Sequence, residues 1–135
     1  MNLDLSFEQD MLRAAAQDFF GRQYNLDMAS KLRVTDAGYS LDMWRQMADL
    51  GWHGVLIPED QGGIGLSMLE MAILAMEIGA AACPGPFFTS SIFSTLLLAE
   101  AADEVWQSAL LPGMGSQYFS TAGQPNFQSS CSSAR

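Results

Sequence analysis

Trp44-Arg45-Gln46-Met47-Ala48-Asp49-Leu50-Gly51-Trp52 is followed by Val55-Leu56-Ile57-Pro58-Glu59, then Gly62-Gly63-Ile64-Gly65, then a run from Ser67 to Glu77-Ile78-Gly79. Ser40 stands at a helix start, where its hydroxyl can accept a hydrogen bond from an orphan first-turn N–H. Behind it Leu41, Trp44, Met47 and Ala48 share one helical face, and Gly51 supplies a left-handed stop. Val55-Leu56-Ile57 is short, apolar and without a partner strand, so it reads as a buried extended connector ended by Pro58. Gly62, Gly63 and Gly65 form a turn that needs positive φ. Ser67 with Glu70 is a capping-box pattern. The helix it opens, Met68 to about Ala80, is apolar nearly all round, as in a helix buried on most sides.

Working outward, Ser6 with Gln9 is a second capping box, and Phe7, Met11, Ala14, Ala15 and Phe19 recur at helical spacing. This predicts a helix from about Phe7 to Tyr24. The segment from Leu26 to Tyr39 reads as a connection with room for one helical turn. Cys83-Pro84-Gly85-Pro86 ends the apolar helix and turns the chain. A further helix is expected from about Thr89 or Ser90 to Ala101. Asp103 can cap a short last helix that stops before Pro112, with Val105, Trp106, Ala109 and Leu110 for packing. From Val105 to Ala134 there is no charge, and after Leu111 the composition turns to Gly, Ser, Gln and Pro. The expectation is an all-α bundle of four to five helices over residues 1–111, with an irregular tail over 112–135 and Trp44, Leu50, Leu74 and Ile78 in the core.

Bulk properties narrow the function. At 135 residues the chain is one domain, and 49% hydrophobic residues suffice for a core. Six basic residues against fifteen acidic ones give a net charge of -9, which repels nucleic acid. Cys83 and Cys131 show neither ligand spacing nor a disulfide framework, and with one histidine they make no usual zinc site. This points to a reducing cytoplasm. Asp4, Glu8 and Asp10 stand where a signal peptide would be apolar. The charge-free stretch between Glu77 and Glu100 is broken by Pro84, Gly85 and Pro86 and carries several hydroxyls, so no membrane span is expected.

Few residues suggest chemistry by themselves. The Gly62–Gly65 turn lacks the Lys and Ser/Thr of a phosphate loop. His53 has no evident catalytic partner nearby and reads as a satisfied or surface histidine. Glu70 and Glu77 lie two turns apart on one face, about 10 Å on a straight helix. Glu70 is accounted for by the capping box, which leaves Glu77 as a surface or buried-polar residue. Met43, Met47, Met68, Met71 and Met76 read as core filler before they read as an adaptable binding surface. Trp44 and Trp52 read as core anchors.

Taken in order, Leu5-Ser6-Phe7-Glu8-Gln9, Leu50-Gly51-Trp52, Ile57-Pro58-Glu59, Gly62-Gly63-Ile64-Gly65, Glu77-Ile78-Gly79, Pro84-Gly85-Pro86-Phe87 and Leu110-Leu111-Pro112 resemble the N-terminal helical domain of the acyl-CoA dehydrogenases. The resemblance covers Leu3 to Met114. Its Pro84–Thr89 wording is similar to bacterial members that handle sterol or other bulky acyl-CoA thioesters, alongside those of fatty-acid breakdown. It implies an oxidoreductase that removes two hydrogens across the α and β carbons of an acyl-CoA. In the family a glutamate base takes the α proton and the flavin of FAD accepts hydride from the β carbon. The base lies in a C-terminal helical domain, and the flavin is held by a middle β-domain, the C-terminal domain and a neighbouring subunit. Nothing in residues 1–135 matches those segments, so the resemblance names no catalytic base, no FAD contact and no metal ligand, and no FAD is expected on this chain alone.

What the resemblance does imply is one wall of the acyl pocket, mapping to Phe87, Phe88, Ser91, Ile92 and Thr95. An apolar wall suits an acyl tail, at ~0.8 kcal/mol per buried CH₂; packing of the helical core would explain the same residues. Beyond Met114 the resemblance lapses, and the Ser-rich ending from Gly115 to Arg135 fits a prematurely ended or out-of-frame reading, or a short protein with its own tail. The function expected is thus the N-terminal portion of an acyl-CoA dehydrogenase, inactive alone, with acyl-CoA the substrate of the complete enzyme. The alternative is a non-catalytic helical module. In either case apolar faces left uncovered would drive self-association or docking to related subunits.

Overall fold

A computed structural model of the chain describes residues 4–115. Helix α1 (Phe7–Gln23) opens on the expected capping box: Ser6 Oγ accepts the Gln9 N–H at 3.3 Å, and Gln9 Oε1 accepts the Ser6 N–H at 2.9 Å. Helix α2 (Leu26–Leu32) occupies what the sequence suggested was mainly a connection. Asn25 starts it, its Oδ1 accepting the Met28 N–H at 2.8 Å. Helix α3 (Leu41–Asp49) is capped by Ser40 and buries Met43, Trp44, Met47 and Ala48. Helix α4 (Met68–Ala80) carries the second capping box, from Ser67 to Glu70. A π-helix (Phe88–Phe93) runs directly into α5 (Ser94–Ala101), and α6 (Glu104–Gly115) follows. Among the described residues there is no strand, so the all-α expectation holds with six α-helices in place of four or five. No described helix is long and apolar enough to cross a membrane.

Three local expectations need correction. Val55 and Ile57 are buried, but the segment is not extended. Residues Trp52–Gly54 form a 3-10 turn, and Val55 is helical at φ -55° and ψ -43°. Its backbone is satisfied by the returning loop: Ile64 N–H donates to the Gly54 carbonyl at 2.9 Å, Leu66 N–H to Val55 at 2.8 Å and Gly65 N–H to Ile57 at 2.8 Å. Leu50 is 51% exposed, because α3 stops at Asp49 and the left-handed turn at Gly51 (φ 78°) buries Trp52 in its place. Trp44 and Leu74 are core as expected, and Ile78 packs partly buried against them.

The last helix passes through Pro112 instead of stopping before it. A proline inside a helix costs ~3 kcal/mol. Leu111 and Met114, on either side of Pro112, bury with Ile57, and the helix must continue past the proline to place Met114 there. Residues 116–135, most of the expected tail, lie outside the described residues.

The larger core joins Ala16 and Phe20 of α1, Met43, Trp44 and Met47 of α3, Trp52 and Val55 of the turn, Met71 and Leu74 of α4, and Phe87 and Ile92. Phe19 and Phe20 both reach Trp52, with ring centroids 5.2 Å and 5.9 Å away. Polar bonds join α1 to α4: Gln9 donates to Glu70 at 2.7 Å, while Arg13 and Gln17 donate to Glu77 at 3.0 Å and 3.1 Å. The earlier residue of α1 meets the earlier residue of α4, so the two helices run parallel.

Gly63 is a sharp constraint on this fold: a Cβ there would lie 2.0 Å from the Ile57 carbonyl oxygen, a backbone atom that cannot move aside. We predict that Gly63→Ala destabilises the chain by about 3 kcal/mol, the upper end of overpacking costs. Urea unfolding followed by circular dichroism checks this, and a wild-type midpoint in the variant would refute it.

Candidate functional site

The polar centre of the domain is His53, brought inside by the turn that follows Gly51. Its imidazole is buried, with ring centroids 4.1 Å from Trp44 and 5.6 Å from Phe87. Nε2 lies 3.1 Å from the Trp44 carbonyl oxygen and Nδ1 lies 2.8 Å from Ser91 Oγ. A carbonyl only accepts, so Nε2 carries the hydrogen. Nδ1 is therefore the acceptor, and the Ser91 hydroxyl donates to it. Burial holds the imidazole below its ordinary pKa of 6.5, against the opposing pull of the Trp44 carbonyl. The ring is neutral, in one tautomer, and satisfied at both nitrogens, as the satisfied reading of His53 expected.

A serine donating to a histidine resembles a nucleophile beside its base. Here no carboxylate orients the imidazole; a main-chain carbonyl does. Ser91 is itself only 2% exposed, so no substrate carbonyl can approach its Oγ. The pair is a brace between α3, the turn and the π-helix.

Of the five residues expected to form an acyl-pocket wall, Phe87, Ser91, Ile92 and Thr95 are buried, and Phe88 is 66% exposed. Phe87 and Ile92 belong to the larger core, and Ser91 is held by His53. Thr95 Oγ1 is buried with no hydrogen-bond partner. The segment is a π-helix: the Ser94 N–H reaches back five residues to the Thr89 carbonyl, which also accepts the Ser94 hydroxyl at 2.6 Å. Two-residue spacing, capping residues and apolar periodicity carry no signature of a π register, and the contact between His53 and Ser91 spans 38 positions. Neither was available from the sequence, and both centre on the expected wall.

The other candidates are accounted for structurally. Glu70 is pulled down to about 2 by hydrogen bonds from Ser67 and Gln9, so it is a fixed anion. Glu77 is held by Arg13 and Gln17. Burial raises the free thiol of Cys83 to about 11, which leaves it unreactive near neutrality; Cys131 lies outside the described residues. Met43, Met47 and Met71 fill core, while Met68 and Met76 are exposed. Leu69, Ile73, Met76 and the Arg13–Glu77 pair help to line a shallow apolar hollow of about 230 Å³ beside α1 and α4. It is smaller than the ~300–1,000 Å³ usual for ligand sites. Among the described residues no three potential metal ligands come together.

With this geometry in hand, comparison with known proteins is specific. The family model for the acyl-CoA dehydrogenase N-terminal domain matches residues 6–117. The acyl-CoA dehydrogenase IpdE2 of Mycobacterium tuberculosis is 28% identical over 95 residues, covering 70% of this chain and 30% of its own. The solved Tcur3481-Tcur3483 steroid ACAD variant superposes with a TM-score of 0.74 at 26% identity, over 82% of this chain and 30% of its own. One chain of the ChsE4-ChsE5 complex of Mycobacterium tuberculosis superposes with a TM-score of 0.69, over 87% of this chain and 30% of its own; at 21% identity it shows the fold alone. The chain thus spans less than a third of the length of these relatives.

Two outcomes test the brace. Ser91→Ala removes the donor to a buried nitrogen and should cost about 1–3 kcal/mol. Because the folded-state pKa of His53 lies below 6.5, the unfolded chain takes up the proton first. The stability tied to a neutral ring is therefore present above pH 6.5 and declines as pH falls towards the folded-state value. Melting curves across that range should show the decline in wild type and lose part of it in His53→Gln; identical pH profiles would contradict the assignment.

Proposed function

The chain belongs to the acyl-CoA dehydrogenase family through its N-terminal domain, and from that premise we propose that it supplies one wall of an acyl-CoA pocket, built on the π-helix and the start of α5. The observation that carries this reading is the π-helix itself. It covers Phe88–Phe93, where the resemblance sets the wall, and π turns recur at functional sites because they trade helical regularity for a re-aimed side chain. Phe88 is the wall residue left open to contact, at 66% exposure. Phe87, Ser91, Ile92 and Thr95 stand behind it, with the His53 brace fixing where the helix lies.

In the complete enzyme FAD supplies the hydride acceptor for the β carbon. The half of the domain that carries the expected wall does not fit that cofactor. No Lys or Arg occurs from residue 46 to 115 to meet its diphosphate, and the hollow beside α4 is small and apolar. In this reading the base and the flavin site come from the remaining two thirds of the enzyme, and residues 1–135 alone are inactive. The same lack of cations leaves the phosphates of coenzyme A to be held elsewhere.

The substrate class proposed is a bulky acyl-CoA thioester, supported by the steroid ACAD among the similar structures. The setting proposed is the cytoplasm. Docking to related subunits forms part of this reading, since Phe93, Leu97, Val105 and Trp106 are more than half exposed on a helical surface.

Replacing the N-terminal domain of IpdE2 by residues 1–115 provides the test. The chimaera should bind flavin and reduce a dye with a bulky acyl-CoA, whereas residues 1–135 alone should do neither. In the chimaera Phe88→Ser should raise KM several-fold with little change in kcat, as expected when uniform binding is lost. A yellow chimaera whose KM ignores position 88 would refute the wall assignment.

A further inference from the structure

The chain's charges are split along its length. Apart from Arg135, every Lys and Arg lies at or before Arg45, and from residue 46 to 115 only carboxylates occur. Glu70 and Glu77 in that half are bound to α1. Glu100, Asp103 and Glu104 instead gather, exposed, at the corner where α5 hands over to α6. Asp103 caps α6, its Oδ1 accepting the Trp106 N–H at 3.1 Å. Among the described residues no ion pair engages these three.

The corner is flanked by apolar side chains in solvent. Phe93 and Leu97, at 56% and 53% exposure, stand one turn apart on the helix that leads into it, and Val105 and Trp106, at 73% and 58%, follow it. Leu97 and Glu100 are three apart, hence neighbours ~5–6 Å apart on one helical face. A surface charge acts over about 8 Å at physiological salt. Anything seated on Leu97 therefore meets the field of the acidic corner.

We propose that this strip docks a protein partner presenting an apolar helical face rimmed by Lys or Arg, and that it is not an interface between copies of this chain. The inference rests on the reading of the chain as a docking domain and adds the chemistry of what it docks. A second copy supplies a poor rim: its own acidic half would set carboxylate against carboxylate. In its other half Arg13, Arg22 and Arg45 are taken by Glu77, Asp18 and Asp42, which leaves Lys31 and Arg33 as the cations outside an ion pair among the described residues. An anionic lipid surface is repelled by the same corner. A basic rim gains through faster encounter and fixed register, while like charges exclude the wrong partner.

The test uses the full chain and two synthetic amphipathic helices that share one leucine face, one with Lys and one with Glu on the polar face. Trp106 reports docking, since Trp44 and Trp52 are buried. The Lys helix should shift its emission to the blue, and binding should weaken with added salt; the Glu helix should not bind. The triple variant E100Q/D103N/E104Q, in which the asparagine put in place of Asp103 still caps α6, should weaken binding at least tenfold and flatten its salt dependence. Leu97→Asn should weaken it comparably, with Val105→Asn as a second, more exposed probe of the strip. The control D10N/D27N/D36N neutralises as many charges on the other half and should stay within twofold of wild type; circular dichroism confirms that each variant is helical. Equal loss in the control, no preference for the Lys helix, or a dimer in sedimentation that Leu97→Asn abolishes would each overturn the proposal. None of these readouts involves acyl-CoA turnover, so failure here leaves the acyl-wall reading standing, and the reverse.

Discussion

A buried imidazole must find a partner for each nitrogen, and the way His53 does so constrains the rest of the domain. Its ring can be neutral and inside only if one neighbour accepts and another donates. The acceptor is a carbonyl near the start of α3, and the donor is a hydroxyl on the π-helix. Two segments far apart in sequence are thereby pinned to one short turn. Gly51 makes that turn possible: its left-handed backbone ends α3 and drives Trp52 and His53 inward together. Trp52 then receives Phe19 and Phe20 of α1, while His53 is enclosed by Trp44 and Phe87. One backbone reversal thus sets both the apolar contact to α1 and the polar contact to the expected acyl wall.

The irregular segment between α3 and α4 is held as firmly as a helix, by other means. Its carbonyls at Gly54, Val55 and Ile57 are taken by the N–H groups of Ile64, Leu66 and Gly65 as the chain returns. That return needs Gly63 to pass against Ile57 with no side chain. Ile57 in turn is the residue on which Leu111 and Met114 bury, so α6 is carried through Pro112 by the position of a loop residue. Order propagates from the loop outward to the last helix.

Helices with a cap and a one-sided apolar pattern were legible in the sequence. The capping boxes at Ser6 and Ser67, the Ser40 cap, the Gly51 stop and the Asp103 cap all form. Each is a local interaction between residues at most four apart, so the sequence contains all its terms. What escaped either left no apolar pattern or was decided outside the element concerned. Helix α2 has its Asn25 cap but no apolar stripe long enough to announce it. Leu50 sits on the stripe of α3 yet points out, because a turn outside the helix settles its fate. At the candidate site, Ser91 was legible as a residue of the wall but not as the donor to His53, and the π register left no trace in periodicity.

The separation of charge along the chain gives the two halves different physical tasks. In the half that has cations, three of them are spent inside the molecule, and one links two helices: Arg13 answers Glu77 across the parallel pair, with Gln9 and Gln17 beside it. Such partly exposed pairs add little stability, about 0–1 kcal/mol each. They do mark which face of α1 meets α4, because Gln9, Arg13 and Gln17 recur one turn apart along it. The other half has no cation with which to answer its own carboxylates, so Glu100, Asp103 and Glu104 stay directed at solvent beside exposed apolar side chains. An apolar surface alone would accept any greasy partner. The same surface under a field of one sign rejects acidic partners, copies of itself included, and that rejection supplies selectivity which buried area by itself does not.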